Sequence, residues 1–407
     1  MPYPAPAIRA AVTQYPTPLF LYDERRLRDN CRRIRRAFEP LFPGFDPLYA
    51  VKANANPHLL RIIHSEGFGL DCCSPSEIWL AGQLGARGVF TGCANPLPEL
   101  EAAARAGLWL NLDDEERIDA VVDRLHPSRI SLRINPGHEL DVDHEGYAMC
   151  GADSKFGIPW ERAVPAYRAL RDRGVERFGI HMMTRTNVLE EDYFAAITRR
   201  LFEVMGQVKR ALGIDFEWIN IGGGFGVPYR PHERPLDLSR TASLLREVFD
   251  KQCAQHGLRE PRLMVEPGRY LTADTGYLVG RVHVVKQSYR RFVGIDAGMN
   301  DLPRVGLYRA YHHLSVLDKD PTGPLERVSV MGRLCENTDQ FARDMDLPAI
   351  REGDVVIIHH AGGHGYVQGY NYNGRPRCAE YLWTQDDTLR PIRRAETVED
   401  LFRTVCP

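Results

Sequence analysis

Eight short apolar runs recur through the first two thirds of the chain, each closing on a polar residue or a glycine. They end near Lys52 ("LYAVK"), Asp71 ("FGLD"), Thr91 ("GVFT"), Asn111 ("LWLN"), Asn135 ("ISLRIN"), His181 ("FGIH"), Gly222 ("INIG") and Glu266 ("LMVE"). Strands buried on both faces read as continuous apolar runs, whereas half-buried strands alternate. Helical spacing fills the intervals. Phe194, Ile197, Leu201, Val204, Val208 and Leu212 keep one face until Gly213 stops them. Eight β/α units in roughly 240 residues predict an α/β fold, a TIM-type barrel whose active site lies at the C-terminal ends of the strands. After Glu266 the pattern changes: "GYLVGRVHVVKQS", "RFVGIDAG", "ERVSVMGRL" and "DVVIIHHAG" read as strands with few helices between them. The expected division is therefore a barrel over 24–267 and a mostly β domain built from 1–23 and 268–407, with "YPTPLFLYD" (15–23) as a strand of the second.

Composition removes several function classes. The 407 residues carry 52 Lys+Arg against 54 Asp+Glu, a net charge of -2, and so provide no field for nucleic acid or an anionic membrane. The proline-rich start has no apolar signal region and no run of about 18 apolar residues occurs, so a cytoplasmic protein is expected. Nine cysteines without a C-x-x-C pair read as reduced thiols, not as a disulfide framework or zinc site. The arginine-rich "ERRLRDNCRRIRRAF" keeps Leu27, Cys31, Ile34 and Phe38 at helical spacing, which makes it an amphipathic helix with a charged outer face.

The strand ends carry the chemistry. Lys52 closes an apolar run ahead of "ANANP". It is either a lysine whose stem packs on the core while its ammonium reaches water, or a desolvated amine on a rigid strand, suited to covalent chemistry. The triplet Gly222, Gly223 and Gly224 in "NIGGGFG" follows the seventh strand, where barrels commonly bind phosphate; a tight turn is the plain alternative. "VEPGRY" adds Glu266 and Arg269. A lysine, a glycine loop, a carboxylate and an arginine together suggest pyridoxal 5'-phosphate: an amine for its aldehyde, a cradle for its phosphate, a carboxylate for its ring nitrogen. No metal is expected, although His359, His360 and His364 could be read as ligands.

The motifs "YAVKAN", "DCCSPSE", "SLRINPG", "SKFGI", "INIGGGFG", "EPGR", "GIDAGMNDLPRVGLYRAYHH", "GRLCENTDQF" and "AGGHGYVQGYNYNGRPRCAEYL" occur in this order. With them the chain resembles, over nearly its full length, the fold-type III pyridoxal-phosphate-dependent decarboxylases, diaminopimelate decarboxylase most closely and ornithine decarboxylase more distantly. That resemblance implies a cofactor-binding barrel, a C-terminal β-barrel-like domain and a homodimer whose subunits share active sites. It makes Lys52 the Schiff-base lysine and Glu266 the partner of the ring nitrogen. Gly222, Gly223, Gly224 and Arg269 would hold the phosphate, and Asp71 and Arg133 would lie near the lysine and ring hydroxyl. Met183, Thr186, His364 and Tyr372 fall at further cofactor positions. Cys335 matches the cysteine that the family places by the α-carbon. Arg304, Tyr308 and Glu336, with Arg269 and Arg185, match or flank positions that grip the substrate. An amino acid with a charged tail is the implied substrate.

Three positions depart from the family. "HMMTRTN" stands where "HxHIGSQ" is usual, so Met183 replaces a ring-stacking histidine and Arg185 a glycine; His364 replaces a tyrosine; Asn95 replaces a common lysine. These changes point to a specialised paralogue. The alternatives are an ordinary meso-diaminopimelate decarboxylase, a racemase on the same kind of barrel, which would exchange the Cα proton without releasing carbon dioxide, and a non-catalytic carrier of the cofactor.

Overall fold

The computed structural model describes residues 1–137 and 149–406. In chain order the first strands are β1 (Leu19–Asp23), β2 (Asp46–Ala50), β3 (Gly69–Cys72), β4 (Gly88–Thr91), β5 (Trp109–Leu112), β6 (Arg129–Asn135), the short β7 (Ile158–Pro159), β8 (Arg177–His181), β9 (Phe216–Asn220) and β10 (Arg262–Val265). Eight of these, running β5-β4-β3-β2-β10-β9-β8-β6 and closed by β5 against β6, form a parallel barrel. They are the eight runs expected from sequence, and β2, β3 and β4 are buried along their whole length. Closure demands small residues at crowded points: a Cβ at Gly179 in β8 would lie 1.9 Å from the Trp218 ring of β9. The long helix Glu191–Leu212 ends at Gly213 in the left-handed conformation (φ 73°), as its periodicity predicts. In the helix Glu24–Phe38, Leu27, Cys31, Ile34 and Phe38 are fully buried.

The chain forms two compact units, one of Asn30–Val227 and Pro235–Tyr270, which holds the barrel, and one of Met1–Asp29, Pro228–Arg234 and Leu271–Pro407. The second is a mixed sheet. Its later strands are β11 (Gly276–Gln287), β12 (Arg291–Ile295), β13 (Leu314–Val316), β14 (Leu325–Met331), β15 (Gln340–Pro348), β16 (Val355–Ile358), β17 (Ala379–Trp383) and β18 (Leu389–Arg393). The central path runs β15-β14-β12-β11-β1-β17-β18, with β16 bridging β11 and β13. β1 does join this sheet, antiparallel to β11 and parallel to β17. Sequence reading missed the helix Ala5–Gln14, which lays Ala7, Ile8 and Ala11 on a core with Leu19, Leu21, Val279 and Ile357. Among the described residues no helix is long and apolar enough to cross a membrane.

Candidate active site

Lys52 does not end a strand. β2 stops at Ala50, and Lys52 sits in a 3-10 turn, Val51–Ala53. That turn is packed from below by the "EPGR" loop: a Cβ on Gly268 would lie 2.9 Å from the Ala53 Cβ and 3.1 Å from the Ala50 Cβ. Nor is the amine alone. Its side chain is 45% exposed and donates to Asp71 Oδ2 at 2.6 Å. Desolvation works to lower its pKa, but the Asp71 and Glu266 carboxylates and the Asp71 hydrogen bond outweigh that and hold it above the ordinary lysine value. Asp71 is shifted the other way for a carboxyl: burial first, then Glu266, raise its pKa against the pull of Lys52.

Glu266, one residue beyond β10, is buried. Burial alone would favour its neutral form. His181 and Lys52 oppose this, His181 Nε2 lying 3.4 Å from Oε2, and Asn220 Nδ2 donates to Oε1 at 2.7 Å, so the group stays a carboxylate with a lowered pKa. Leaving such a carboxylate buried without partners would cost several kcal/mol, on the order of the usual effective penalty for a buried ion. His181 and Asn220 are therefore part of the site. His181 was visible as a polar strand end and Asn220 lay inside the run "INIG", yet sequence reading assigned neither a role. Arg133, also buried, pairs with Asp113 at 3.4 Å, donates to the Met183 carbonyl at 3.4 Å and lies 4.3 Å over the Phe156 ring.

The glycine triplet needs its glycines. Gly222 and Gly224 have φ of 69° and 88°, and a Cβ at 222, 223 or 224 would come within 2.7 Å of the Met182 carbonyl, 2.6 Å of the Glu266 carbonyl or 2.8 Å of the Arg185 carbonyl. The Gly222 N–H donates to Asn220 Oδ1 at 2.9 Å, and the Gly223 N–H to the Met183 sulfur at 3.3 Å. A thioether is a weak acceptor, which an anionic oxygen would displace. Arg185 is half-buried with its guanidinium 5.5 Å over the Tyr193 ring, while Thr186 is exposed. Arg269 opens the short helix Arg269–Thr272.

The remaining predicted residues lie in the sheet unit. Cys335 and Glu336 are exposed in the loop between β14 and β15. The Cys335 N–H donates to Asn373 Oδ1 at 2.7 Å, and Glu336 Oε1 accepts from the Thr338 N–H and hydroxyl, each at 3.0 Å. Those bonds lower the Glu336 pKa and keep it anionic. Glu336, Thr338, Gln368, Tyr370 and Tyr372 line a cavity of about 780 Å³ together with Leu307 and Met299. Arg304 belongs to the short helix Arg304–Leu307, whose Gly306 and Leu307 line the cavity; it is itself buried and is not a lining residue, and Tyr308 caps that helix, half-buried. His364 is half-buried with a left-handed φ of 56°.

These barrel residues fit pyridoxal phosphate by their own chemistry. Lys52 offers an amine at the mouth. Glu266 is a buried, ionised carboxylate. Asp71 Oδ1 and His181 Nδ1 are buried without hydrogen-bond partners among the described residues. The glycine turn presents an N–H held by sulfur.

Comparison with known proteins agrees. Residues 25–273 match the family model "Pyridoxal-dependent decarboxylase, pyridoxal binding domain". The chain is 39% identical over 396 residues to diaminopimelate decarboxylase of Methanothermobacter thermautotrophicus (96% of this chain, 92% of the relative). It is 41% identical over 401 residues to Protein TabA of Pseudomonas amygdali pv. tabaci (97% and 92%). The solved diaminopimelate decarboxylase of M. jannaschii in co-complex with L-lysine superposes with a TM-score of 0.90 at 29% identity, covering 98% of this chain and 94% of that one. The chain belongs to the pyridoxal-dependent decarboxylases and is a pyridoxal-phosphate-dependent amino-acid decarboxylase.

Proposed function

We propose that this protein decarboxylates an amino acid whose far end carries an ammonium and a carboxylate, as a specialised relative of the diaminopimelate decarboxylases. The observation that carries the reading is the anionic Glu336 on the wall of a cavity whose other polar lining groups are hydroxyls and an amide, a setting suited to an ammonium. Specialisation is supported by the barrel mouth, where a thioether at Met183 rather than an imidazole rests on the glycine turn.

When bound, pyridoxal phosphate supplies the electron sink that accepts the electron pair of the breaking bond between Cα and the carboxylate. Lys52 would hold it, and Asp71 orients the amine by accepting its hydrogen bond at 2.6 Å. Glu266 keeps the ring nitrogen protonated. His181 and Asn220 fix the orientation of Glu266 and preserve its charge. Gly222, Gly223, Gly224 and Arg269 hold the phosphate, with Thr186, His364 and Tyr372 beside it, while Arg133 and Met183 position the ring. Cys335 delivers the proton to Cα. Arg304, Tyr308 and Glu336 hold the substrate tail, and Arg185 and Arg269 supply further cations for its carboxylates. Two copies of the chain assemble so that Cys335 and Glu336 of one serve the barrel of the other.

A second reading, the meso-diaminopimelate decarboxylase of lysine biosynthesis, is favoured by the name of the Methanothermobacter relative. One assay separates the two. Purified holoenzyme is given meso-diaminopimelate, ornithine, lysine, arginine and their D-isomers, and carbon dioxide release is followed. The specialised reading expects slow turnover of meso-diaminopimelate; turnover at the rate of a housekeeping enzyme establishes the second reading instead.

A further inference from the structure

Arg304 is a long, flexible cation, yet it is buried, and its Nη1 has two acceptors: the Tyr229 hydroxyl at 2.9 Å and His312 Nε2 at 3.1 Å. The Tyr229 ring lies 4.9 Å from the centre of the guanidinium. An arginine always donates, so His312 Nε2 must carry its lone pair toward Arg304. The other ring nitrogen must then be the N–H, and Nδ1 lies 2.9 Å from the His359 carbonyl at the end of β16. The tautomer is thus assigned by the network. His312 is a relay: a backbone carbonyl fixes its ring, and its ring fixes one nitrogen of Arg304.

We propose that His312 and Tyr229 are positioning residues that set the plane of the Arg304 guanidinium for recognition of the substrate's tail carboxylate. The inference rests on the reading of Arg304 as a tail-binding residue. A planar fork recognises a carboxylate only near its own plane, so an arginine free to rotate loses much of that selectivity, whereas one pinned at Nη1 keeps it. Pinning does nothing for a tail that ends in an ammonium alone. The consequence is selective: loss of either residue weakens ligands with a tail carboxylate and spares those without one.

The test is calorimetric titration of the holoenzyme with L-lysine, whose α-amino-acid head mimics the tail of diaminopimelate, and with pentane-1,5-diamine, which lacks the carboxylate. Tyr229→Phe keeps the ring and removes one acceptor; L-lysine is expected to weaken about fivefold, the usual effect of one hydrogen bond. His312→Phe is expected to weaken it about tenfold, since a charged donor is left short of an acceptor. His312→Gln, which returns an acceptor to that place, restores binding. The diamine stays within about twofold throughout, and for the carboxylate-bearing substrate KM rises while kcat holds. If His312→Phe fails to fold, Tyr229→Phe decides alone. Equal weakening of both ligands, or unchanged L-lysine binding while Arg304→Leu abolishes it, overturns the inference and leaves the reading of Arg304 standing. Unchanged L-lysine binding in Arg304→Leu overturns both.

Discussion

The residues predicted for the site fall in two places, the mouth of the barrel and the loops of the sheet unit, and these are built by opposite means. At the mouth, charge is concentrated in a buried space: Asp71, Glu266 and Arg133 are all buried, and each is held by a neighbour, Asp71 by Lys52, Glu266 by His181 and Asn220, Arg133 by Asp113. In the sheet unit Cys335 and Glu336 stand in solvent, anchored by hydrogen bonds to loop neighbours at Asn373 and Thr338. The difference teaches where each kind of chemistry is housed. A group that must keep an unusual protonation state for the cofactor is set in a rigid, low-dielectric frame. A group that is to meet a changing substrate, the role proposed for Glu336, is set on a loop.

Variants at the two places should fail differently. Glu266→Gln removes the buried charge but keeps the shape; kcat should fall by about 10³-fold, the scale of losing one preorganised electrostatic partner, while the visible absorbance of bound cofactor persists. Retained turnover would mean that the mouth does not depend on its buried charge. Cys335→Ser should cost less, about 10²-fold in kcat, the scale of one positioned proton donor, with the same cofactor spectrum. A Cys335→Ser protein that loses cofactor as well would erase the contrast between the two places. Gly179→Ala tests the frame itself: a Cβ only 1.9 Å from the Trp218 ring should destabilise the barrel by about 1–3 kcal/mol in denaturant unfolding.

The smallest effect concerns pH, and it belongs to the sheet unit. His313 is pushed down to about 4 by burial, with the N-terminal ammonium and His360 adding to it, and His359 is lowered too, first by burial. The unfolded chain binds protons at these rings near the ordinary value of 6.5, which the folded chain refuses, so stability is lost as pH falls from 6.5 toward 4 and is unaffected by them above that window. A melting series over that range should show the fall, and His313→Phe should flatten part of it. A fall unchanged in that variant would place the acid sensitivity elsewhere.

Much of this was legible in the sequence, for a physical reason. Strands of a closed parallel barrel are buried on both faces, so their runs stand out, and the polar residue at each end marks the mouth. The sheet unit is harder to read. "QFARDMDLP" of β15 and "LRPIR" of β18 mix charge and proline with their apolar residues, as partly exposed strands do, and went unread. The helix Ala5–Gln14 hides behind its prolines and shows only Ala7, Ile8 and Ala11 as an apolar face. At the site, Lys52 and Glu266 could be named from position, whereas the partners of Arg304 come from Tyr229, 75 residues earlier, and from His312, and no spacing reveals that meeting.

The central claim is that the amine of Lys52 is the point of attachment for the cofactor. Borohydride reduction of the holoenzyme, followed by peptide mass mapping, tests it most directly. The account predicts a pyridoxyl group on the peptide that contains Lys52 and its absence from a Lys52→Ala protein; a label fixed on any other lysine would contradict it.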